Sequence, residues 1–185
     1  MDCDVSVGGN QTNELLHLVA TKKISSINTG GQVQINQISG GKTLHILLAD
    51  DDEDDRQFFT DAVSSIAPAV KLTIVQDGEE LINKLKRNIA ELPDFIFLDL
   101  NMPFKNGMEC LKEIKSVEFL KNIPILIYST SINKDQVETT YQNGANLYIQ
   151  KPSSFEGIIT MLNTIFSFDP AKWFNQPTRE KFLLK

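Results

Sequence analysis

Acidic, hydroxyl and basic side chains follow four short apolar runs of the sequence, and these are residue types that could do chemistry together. The first run ends in Asp50-Asp51-Asp52, the third in Asp99, the fourth in Ser129-Thr130 and the fifth in Lys151. Carboxylates gathered at one spot repel one another and need a cation, and all-oxygen ligands with open positions favour Mg²⁺. An aspartate held beside that ion is an available nucleophile for a phosphoryl group, whose charge the metal and an ammonium would neutralise.

The elements that must position these side chains are short strands alternating with helices. Each apolar run has four to six residues and is rich in Ile, Leu and Phe, which is typical of strands buried on both faces of a parallel sheet. Five such strand–helix units predict an open, doubly wound parallel α/β sheet, with its ligand site beyond the carboxyl ends of the strands. The predicted strands are Leu44–Ala49, Leu72–Gln76, Phe95–Leu100, Ile125–Tyr128 and Leu147–Gln150.

Apolar residues spaced three and four apart between the strands predict five amphipathic helices. Pro152 is predicted to open the last helix, and Cys110 to pack within the third helix or face solvent. The predicted apolar stripes are Phe58, Phe59, Ala62, Val63 and Ile66; Leu81, Ile82, Leu85 and Ile89; Met108, Leu111, Ile114 and Val117; Val137 and Tyr141; and Phe155, Ile158, Ile159, Leu162, Ile165 and Phe166.

Composition changes near Lys42. Residues 1–42 hold equal numbers of acids and bases and six of the ten glycines, so the net charge of −6 lies in the remainder. We interpret residues 1–42 as a flexible or docked N-terminal extension and residues 43–168 as the main domain. The pattern is compatible with a short helix over Glu14–Ala20 and a hairpin over residues 24–35. Residues 169–185 are predicted to be a tail, too short for an output domain, whose apolar anchors dock on the domain or on a partner.

Several classes of function are disfavoured by composition alone. The negative net charge argues against binding to nucleic acid or to an anionic membrane. Two cysteines cannot form a disulfide-rich scaffold, and no apolar run approaches the roughly 18 residues of a membrane span. The acidic first residues lack the basic region of a secretory signal. The sequence therefore predicts a soluble, cytoplasmic protein.

Four segments at predicted strand ends, in this order, resemble the receiver domain of two-component response regulators. The resemblance covers about Thr43 to Phe168 and implies a flavodoxin-like (βα)5 fold with a five-stranded parallel sheet. It also implies a phosphoacceptor switch in a phosphorelay. The segments that carry it are Leu48–Arg56, Pro93–Pro103 with Gly107, Pro124–Thr130, and Gly144-Ala145 leading to Tyr148–Pro152.

The resemblance implies a role for each acidic position. Asp99 matches the aspartate that accepts phosphate from a histidine kinase, and it would also contact Mg²⁺. Asp51 matches the direct acidic ligand of Mg²⁺ and Asp50 the ligand that acts through water, while Asn101 would offer its backbone carbonyl. Because three aspartates are contiguous, the pair could be shifted toward Asp52, but counting from the end of the apolar run favours Asp50 and Asp51.

The resemblance also assigns the residues that would sense the phosphate. Ser129 stands at the Ser/Thr switch position, Tyr148 at the rotating aromatic position and Lys151 at the phosphate-binding lysine. Thr130 departs from the family, where this position is often Ala or Gly. Its β-branched side chain is expected to restrict access of water to the phosphate and to lengthen the phosphorylated state.

These assignments predict a single-domain response regulator that catalyses only its own phosphorylation and dephosphorylation and signals by protein contact. Its expected partners are a sensor histidine kinase or phosphotransfer protein and a downstream protein, and a homodimer stays open. A tail with a tryptophan is similar to receivers that act with phytochrome-type kinases. Two rivals remain. An aspartyl-phosphate phosphatase would need an acid where Asn101 stands, and a phosphate-independent scaffold with the same fold would not need the acidic constellation.

Overall fold

The computed structural model of the chain describes residues 43–167 and 175–184, and these form a parallel sheet with helices on both faces. The strand order is β2-β1-β3-β4-β5-β6, and every neighbouring pair is parallel. The strands are β1 (His45–Ala49), β2 (Lys71–Val75), β3 (Phe95–Leu98), β4 (Ile125–Ser129), β5 (Leu147–Gln150) and β6 (Leu183–Leu184). The helices are α1 (Glu53–Ile66), α2 (Gly78–Arg87), α3 (Gly107–Ser116), α4 (Lys134–Gln142) and α5 (Phe155–Ser167), with 3₁₀ turns at Ile89–Glu91 and Arg179–Lys181.

The five predicted strands are present within one or two residues of their predicted bounds, and the doubly wound fold is confirmed. All five residues of β1 are buried, and alternate residues enter different cores. Leu47 packs in the core on one face of the sheet, against α2 and α3, whereas Leu48 packs in the other, against α1 and α5. Period-two alternation with both faces covered explains why β1 is a continuous apolar run.

Two residues of the predicted helical stripes were assigned wrongly to the buried face. Phe58 is 52% exposed because α1 packs through Phe59 and the residues three, four and seven positions further on, which leaves its neighbour turned toward solvent. Ile89 is 55% exposed because α2 ends at Arg87, so Ile89 no longer follows the helical repeat. Cys110 was predicted to pack within the third helix or to face solvent, and it packs. Its side chain is fully buried, and burial raises the pKa of the thiol to about 12.

The last helix begins three residues later than predicted. Ser154 accepts its first two hydrogen bonds. The Ser154 hydroxyl accepts from the backbone N–H of Gly157 at 3.1 Å, and the Ser154 carbonyl accepts from the backbone N–H of Ile158 at 3.1 Å. A hydroxyl of this kind is the usual helix N-cap, so Ser154 and not Pro152 sets the start.

Several sequence predictions lie outside the described residues. They concern the helix over Glu14–Ala20, the hairpin over residues 24–35, and the first part of the tail with Trp173 and Phe174. The domain boundaries at residues 42 and 168 therefore stay predictions. Within residues 43–167 and 175–184, no helix combines the length and the apolar character that crossing a membrane requires.

The end of the tail adds a sixth strand that the sequence did not predict. Leu183 and Leu184 pair with Tyr148 and Ile149 of β5, and the backbone N–H of Tyr148 donates to the carbonyl of Phe182 at 2.7 Å. The Phe182 ring is 1% exposed and lies edge-on against Tyr141 of α4, with 5.0 Å between ring centroids. This part of the tail thus docks on its own domain, at the outer edge of β5.

We expect Phe182→Ala to lower the free energy of unfolding by about 3 kcal/mol, because it empties a fully enclosed aromatic site. The amide of Tyr148 should then exchange faster with solvent, since its acceptor lies on the detached strand. Chemical denaturation and hydrogen exchange measure the two effects. Phe119→Ala is the matched control, because that ring is 45% exposed. A loss in Phe182→Ala no larger than that in Phe119→Ala would mean that the enclosed position of Phe182 adds no stability of its own.

Lys115 is a half-buried lysine without an acidic partner in the part of the chain that the structure describes. Its Nζ donates to the carbonyls of Ile123 at 2.9 Å and Lys121 at 3.1 Å, and burial lowers its pKa to about 8. A lysine with a lowered pKa holds fewer protons in the folded state than in the unfolded one between the two pKa values, so stability rises with pH there.

Lys115 is therefore expected to contribute a rise of about 1 kcal/mol in the free energy of unfolding between pH 8 and 9, which the raised pKa of the buried Cys110 thiol partly offsets. Lys115→Met should remove this rise. Urea denaturation of both proteins at each pH tests it, and a parallel slope in the variant would contradict the assignment.

Candidate functional site

Two buried aspartates follow neighbouring strands at the point where the strand order reverses. Asp50 comes directly after β1 and Asp99 directly after β3, and they are 0% and 6% exposed. The sheet ladder continues through both, because the N–H of Asp50 donates to the carbonyl of Val75 at 3.2 Å and that of Asp99 to the carbonyl of Ala49 at 2.9 Å. The two carboxylates are therefore fixed side by side at the crevice where open α/β sheets bind ligands.

Asp51 completes a group of three carboxylates with Asp50 and Asp99. One oxygen from each side chain lies within 4.8 Å of the other two. Asp51 is exposed whereas the other two are buried, so the group opens to solvent on one side. The third contiguous acid, Asp52, lies apart from this group: it caps α1 and accepts from the N–H of Asp55 at 2.9 Å.

Each buried carboxylate is oriented by the backbone two residues further on. Oδ1 of Asp50 accepts from the N–H of Asp52 at 3.1 Å, and Oδ1 of Asp99 accepts from the N–H of Asn101 at 2.9 Å. These local turns leave Oδ2 of both residues pointing to the same cation. The Asn101 side chain is exposed.

That cation is the ammonium of Lys151, which directly follows β5. Its side chain is 6% exposed, and Nζ lies 2.8 Å from Oδ2 of Asp50 and 2.7 Å from Oδ2 of Asp99. A third carboxylate, that of Asp55 in the first turn of α1, also lies 2.7 Å from Nζ. Nζ stands 5.4 Å from the ring centroid of Tyr128. A buried lysine is thus neutralised from three sides.

Burial and charge act in opposite directions on the pKa values of the site. Burial raises the pKa of Asp50 to about 6, although its contact with Lys151 pulls it down. Burial would lower the pKa of Lys151, but its contacts with Asp50, Asp55 and Asp99 outweigh that effect and raise it. The ammonium is therefore charged at neutral pH, and the carboxylates keep an excess of negative charge around it.

Hydroxyl groups line the β4 and β5 side of the crevice. Ser129 ends β4 and is 1% exposed, with its Oγ 3.4 Å from the N–H of Ser131. The Tyr148 ring is fully buried, and its hydroxyl donates to the carbonyl of Ser131 at 2.8 Å. Burial raises the pKa of this phenol. Thr130, between the two serines, is exposed.

The loop after β3 passes so close to the site that it needs a glycine. A Cβ on Gly107 would lie 2.0 Å from the carbonyl oxygen of Asp99, and the N–H of Gly107 donates to the carbonyl of Leu100 at 3.1 Å. Phe104 at the tip has a φ of 61° and is 86% exposed. The adjacent Lys105 forms an ion pair with Glu113 of α3, which holds the loop to the next helix.

Two residues of the site were missed in the sequence. Asp55 contacts Lys151, and Arg56 donates from Nη1 to the carbonyl of Asp50 at 3.0 Å. In the sequence they appeared only within the segment Leu48–Arg56, without a role of their own. The available signal was position, because both residues stand at the start of the helix that directly follows the acidic run.

The donor set fits a hard divalent cation. All three converging ligands are carboxylate oxygens, which Mg²⁺ and related ions prefer, and Asp51 leaves the group accessible from solvent. Lys151 supplies one positive charge against the carboxylates of Asp50, Asp51, Asp55 and Asp99. A divalent ion would reduce this excess of negative charge.

A doubly wound parallel sheet with acids after β1 and β3 and a lysine after β5 defines a receiver domain. The sequence profile described as response regulator receiver domain matches residues 46–163. The chain belongs to this family, whose members act in two-component signalling.

Similar proteins include the response regulator Rcp1 of Synechocystis sp., which is 32% identical over 127 residues, spanning 66% of this chain and 86% of Rcp1. The chemotaxis protein CheY-3 of Vibrio cholerae is 29% identical over 125 residues, 68% of this chain and 93% of CheY-3. Among solved structures, the phosphorylated cyanobacterial phytochrome response regulator RcpA aligns with a TM-score of 0.64 at 32% identity, over 74% of this chain and 98% of RcpA. Mn²⁺-bound Rcp1 aligns with a TM-score of 0.62 at 31% identity, over 73% of this chain and 97% of Rcp1.

Proposed function

We propose that this chain is a phosphoacceptor switch, which takes a phosphoryl group onto Asp99 from a histidine kinase or a phosphotransfer protein. The observation that carries the proposal is the 2.7 Å contact between Oδ2 of Asp99 and Nζ of Lys151, inside a group of three carboxylates. Such an arrangement pairs a nucleophilic oxygen with a cation that can move onto the incoming phosphoryl oxygens. Resemblance to phosphorylated RcpA supports the same assignment.

Mg²⁺ is the cation that we propose for the acidic group. Asp51, Asp99 and the backbone carbonyl of Asn101 would hold it directly, and Asp50 through water. When bound, the ion supplies positive charge against the oxygens of the transferred group. The similarity to Rcp1, which has a Mn²⁺-bound form, supports a divalent ion in this chain as well.

In the transfer itself, a carboxylate oxygen of Asp99 attacks phosphorus while the bond from phosphorus to the donor's imidazole nitrogen breaks. The electron pair of the broken bond stays on the imidazole, which takes up a proton. Oδ1 of Asp99 is held by the N–H of Asn101, so the carboxylate meets the donor in one orientation. Lys151 pairs with the new phosphoryl oxygens, and the phosphoryl becomes an acyl phosphate with no redox change.

The response would start at Ser129 and Tyr148. A phosphoryl oxygen draws the Ser129 hydroxyl toward it, and this breaks the contact of Ser129 with the N–H of Ser131. Because the Tyr148 hydroxyl donates to the carbonyl of the same Ser131, movement of this turn also releases the tyrosine. Thr130 stands at the open side of the turn, where its methyl group would slow the approach of water.

The output that we propose is a protein contact on the surface of α4, β5 and α5. The docked tail, residues 176–184, covers part of this surface, so a downstream protein or a second copy of the chain would meet the tail as well as the helices.

Resemblance to phytochrome response regulators makes a phytochrome-type kinase the favoured donor. Because such kinases use ATP, the proposal places the chain in the cytoplasm, and its negative charge makes nucleic acid an unsuitable partner.

Phosphorylation by acetyl phosphate tests this function without a cognate kinase. The protein is incubated with the donor and Mg²⁺, reduced with borohydride to trap any aspartyl phosphate, and digested for peptide mass spectrometry. We expect trapping at Asp99 alone, and none when a chelator replaces Mg²⁺. Trapping at another carboxylate, or at none, would overturn the proposal.

A further inference from the structure

A third carboxylate contacts the ammonium of Lys151, besides those of the two aspartates that directly follow β1 and β3. Asp55 reaches it from α1 at 2.7 Å, across 96 positions of sequence. The other two acids in the first turn of α1, Glu53 and Asp54, are exposed, whereas Asp55 is half-buried and turned inward. Nζ donates hydrogen bonds to Asp55 and Asp99, and it lies at ion-pair distance from Asp50.

The three contacts are not equivalent once a metal and a phosphoryl group arrive. Asp50 and Asp99 present to Lys151 the same carboxylates that a divalent ion and the phosphoryl group would engage. Asp55 lies outside the group of oxygens that converge on the metal position. Its contact with Nζ is therefore the one that can persist while the other two are exchanged.

We propose that Asp55 is a positioning residue, which retains the ammonium of Lys151 beside Asp99 while metal and phosphoryl group displace its other two carboxylate contacts. The inference rests on the proposed function and adds a residue to it. Asp55 touches neither the reacting carboxylate nor the donor, and it acts only through Lys151. Charge alone would give the opposite effect, because the negative charge of Asp55 repels an anionic donor. The sign of the effect therefore separates the two roles.

Asp55→Asn and Asp54→Asn form a matched pair of variants. Each removes one negative charge from the first turn of α1, so each loses the same favourable interaction with the helix dipole. Of these two acids, only Asp55 contacts Lys151. With acetyl phosphate and saturating Mg²⁺, we expect Asp55→Asn to slow phosphorylation of Asp99 about tenfold, the effect of losing one charge-assisted hydrogen bond. Asp54→Asn should stay within about twofold of the unaltered protein, and Asp55→Glu should recover part of the rate.

A second readout follows the ammonium directly. The NH₃⁺ group of Lys151 should give a protected nitrogen-15 NMR signal in the unaltered chain and in Asp54→Asn, both without and with Mg²⁺. In Asp55→Asn that signal should broaden or vanish when Mg²⁺ is added. This measurement needs no phosphoryl transfer, and a merely stabilising role of Asp55 would not change it.

The outcomes separate the inference from the function on which it rests. If the unaltered chain is not phosphorylated at Asp99, the proposed function fails, and the NMR signal alone decides whether Asp55 retains Lys151. If the unaltered chain is phosphorylated while Asp55→Asn matches Asp54→Asn in rate and signal, the function stands and the positioning role is refuted. A faster rate in Asp55→Asn refutes it as well, because repulsion of the donor would then dominate.

Discussion

Asp99→Asn is expected to abolish phosphorylation by any donor. An amide oxygen does not form a stable acyl phosphate, and no other carboxylate of the described residues combines burial with direct contact to both Lys151 and the loop amide of Asn101. Asn occupies the same volume and still accepts from the N–H of Asn101, so the fold should persist. Intact-mass spectrometry after incubation with acetyl phosphate and Mg²⁺ measures the result.

Asp52→Asn is the control for Asp99→Asn, since Asp52 is a nearby acid that caps α1 and faces solvent. It should be phosphorylated at close to the normal rate. Phosphorylation that continues in Asp99→Asn, or that is lost equally in Asp52→Asn, would mean that the acceptor has been misassigned.

Lys151→Met is expected to lower the free energy of unfolding by about 3–5 kcal/mol in the absence of divalent ions. The change leaves the carboxylates of Asp50 and Asp99 buried beside each other without their shared cation, at 0% and 6% exposure. Removing one partner of a buried ion pair is costly because the remaining charges stay desolvated. The expected loss exceeds that of any exposed lysine by several kcal/mol.

Millimolar Mg²⁺ should restore a large part of this loss, because a divalent ion at the acidic group replaces the missing positive charge and stabilises the folded state by mass action. Urea denaturation with and without Mg²⁺ measures both effects. Lys134→Met, at the exposed start of α4, is the control and should show neither effect. Unchanged stability in Lys151→Met, or a loss that Mg²⁺ leaves untouched, would contradict a shared site for lysine and metal.

The parts of the site that the sequence predicted are those fixed by the sheet. Carboxyl ends of parallel strands lie at one edge, so Asp50, Asp99 and Lys151 could be brought together from the positions of three apolar runs. The positions of the side chains agree with the choice of Asp50 and Asp51 over Asp52. Asp52 is the N-cap of α1, whereas Asp50 and Asp51 converge with Asp99. The roles of these residues in phosphate transfer stay predictions.

The parts that the sequence did not predict depend on helix rotation and on tertiary pairing. Phe58 and Phe59 are both apolar, and only the packing of α1 on the sheet decides which of them is buried. Asp55 joins the site for the same reason, since a helix places it within reach of a lysine 96 positions away. The sixth strand has two residues, too few for a pattern, and it forms because β5 offers a free edge and Phe182 has a site between Tyr141 and Tyr148.

A crystal structure of the chain with Mg²⁺ and beryllium fluoride, a mimic of the aspartyl phosphate, tests the central claim most directly. We expect the fluoride group on a carboxylate oxygen of Asp99, with Nζ of Lys151 and Oγ of Ser129 in contact with its fluorines and one metal ion held by Asp51 and Asp99. Beryllium fluoride bound away from Asp99, or Lys151 out of reach of it, would contradict the claim that these residues form one phosphate-accepting site.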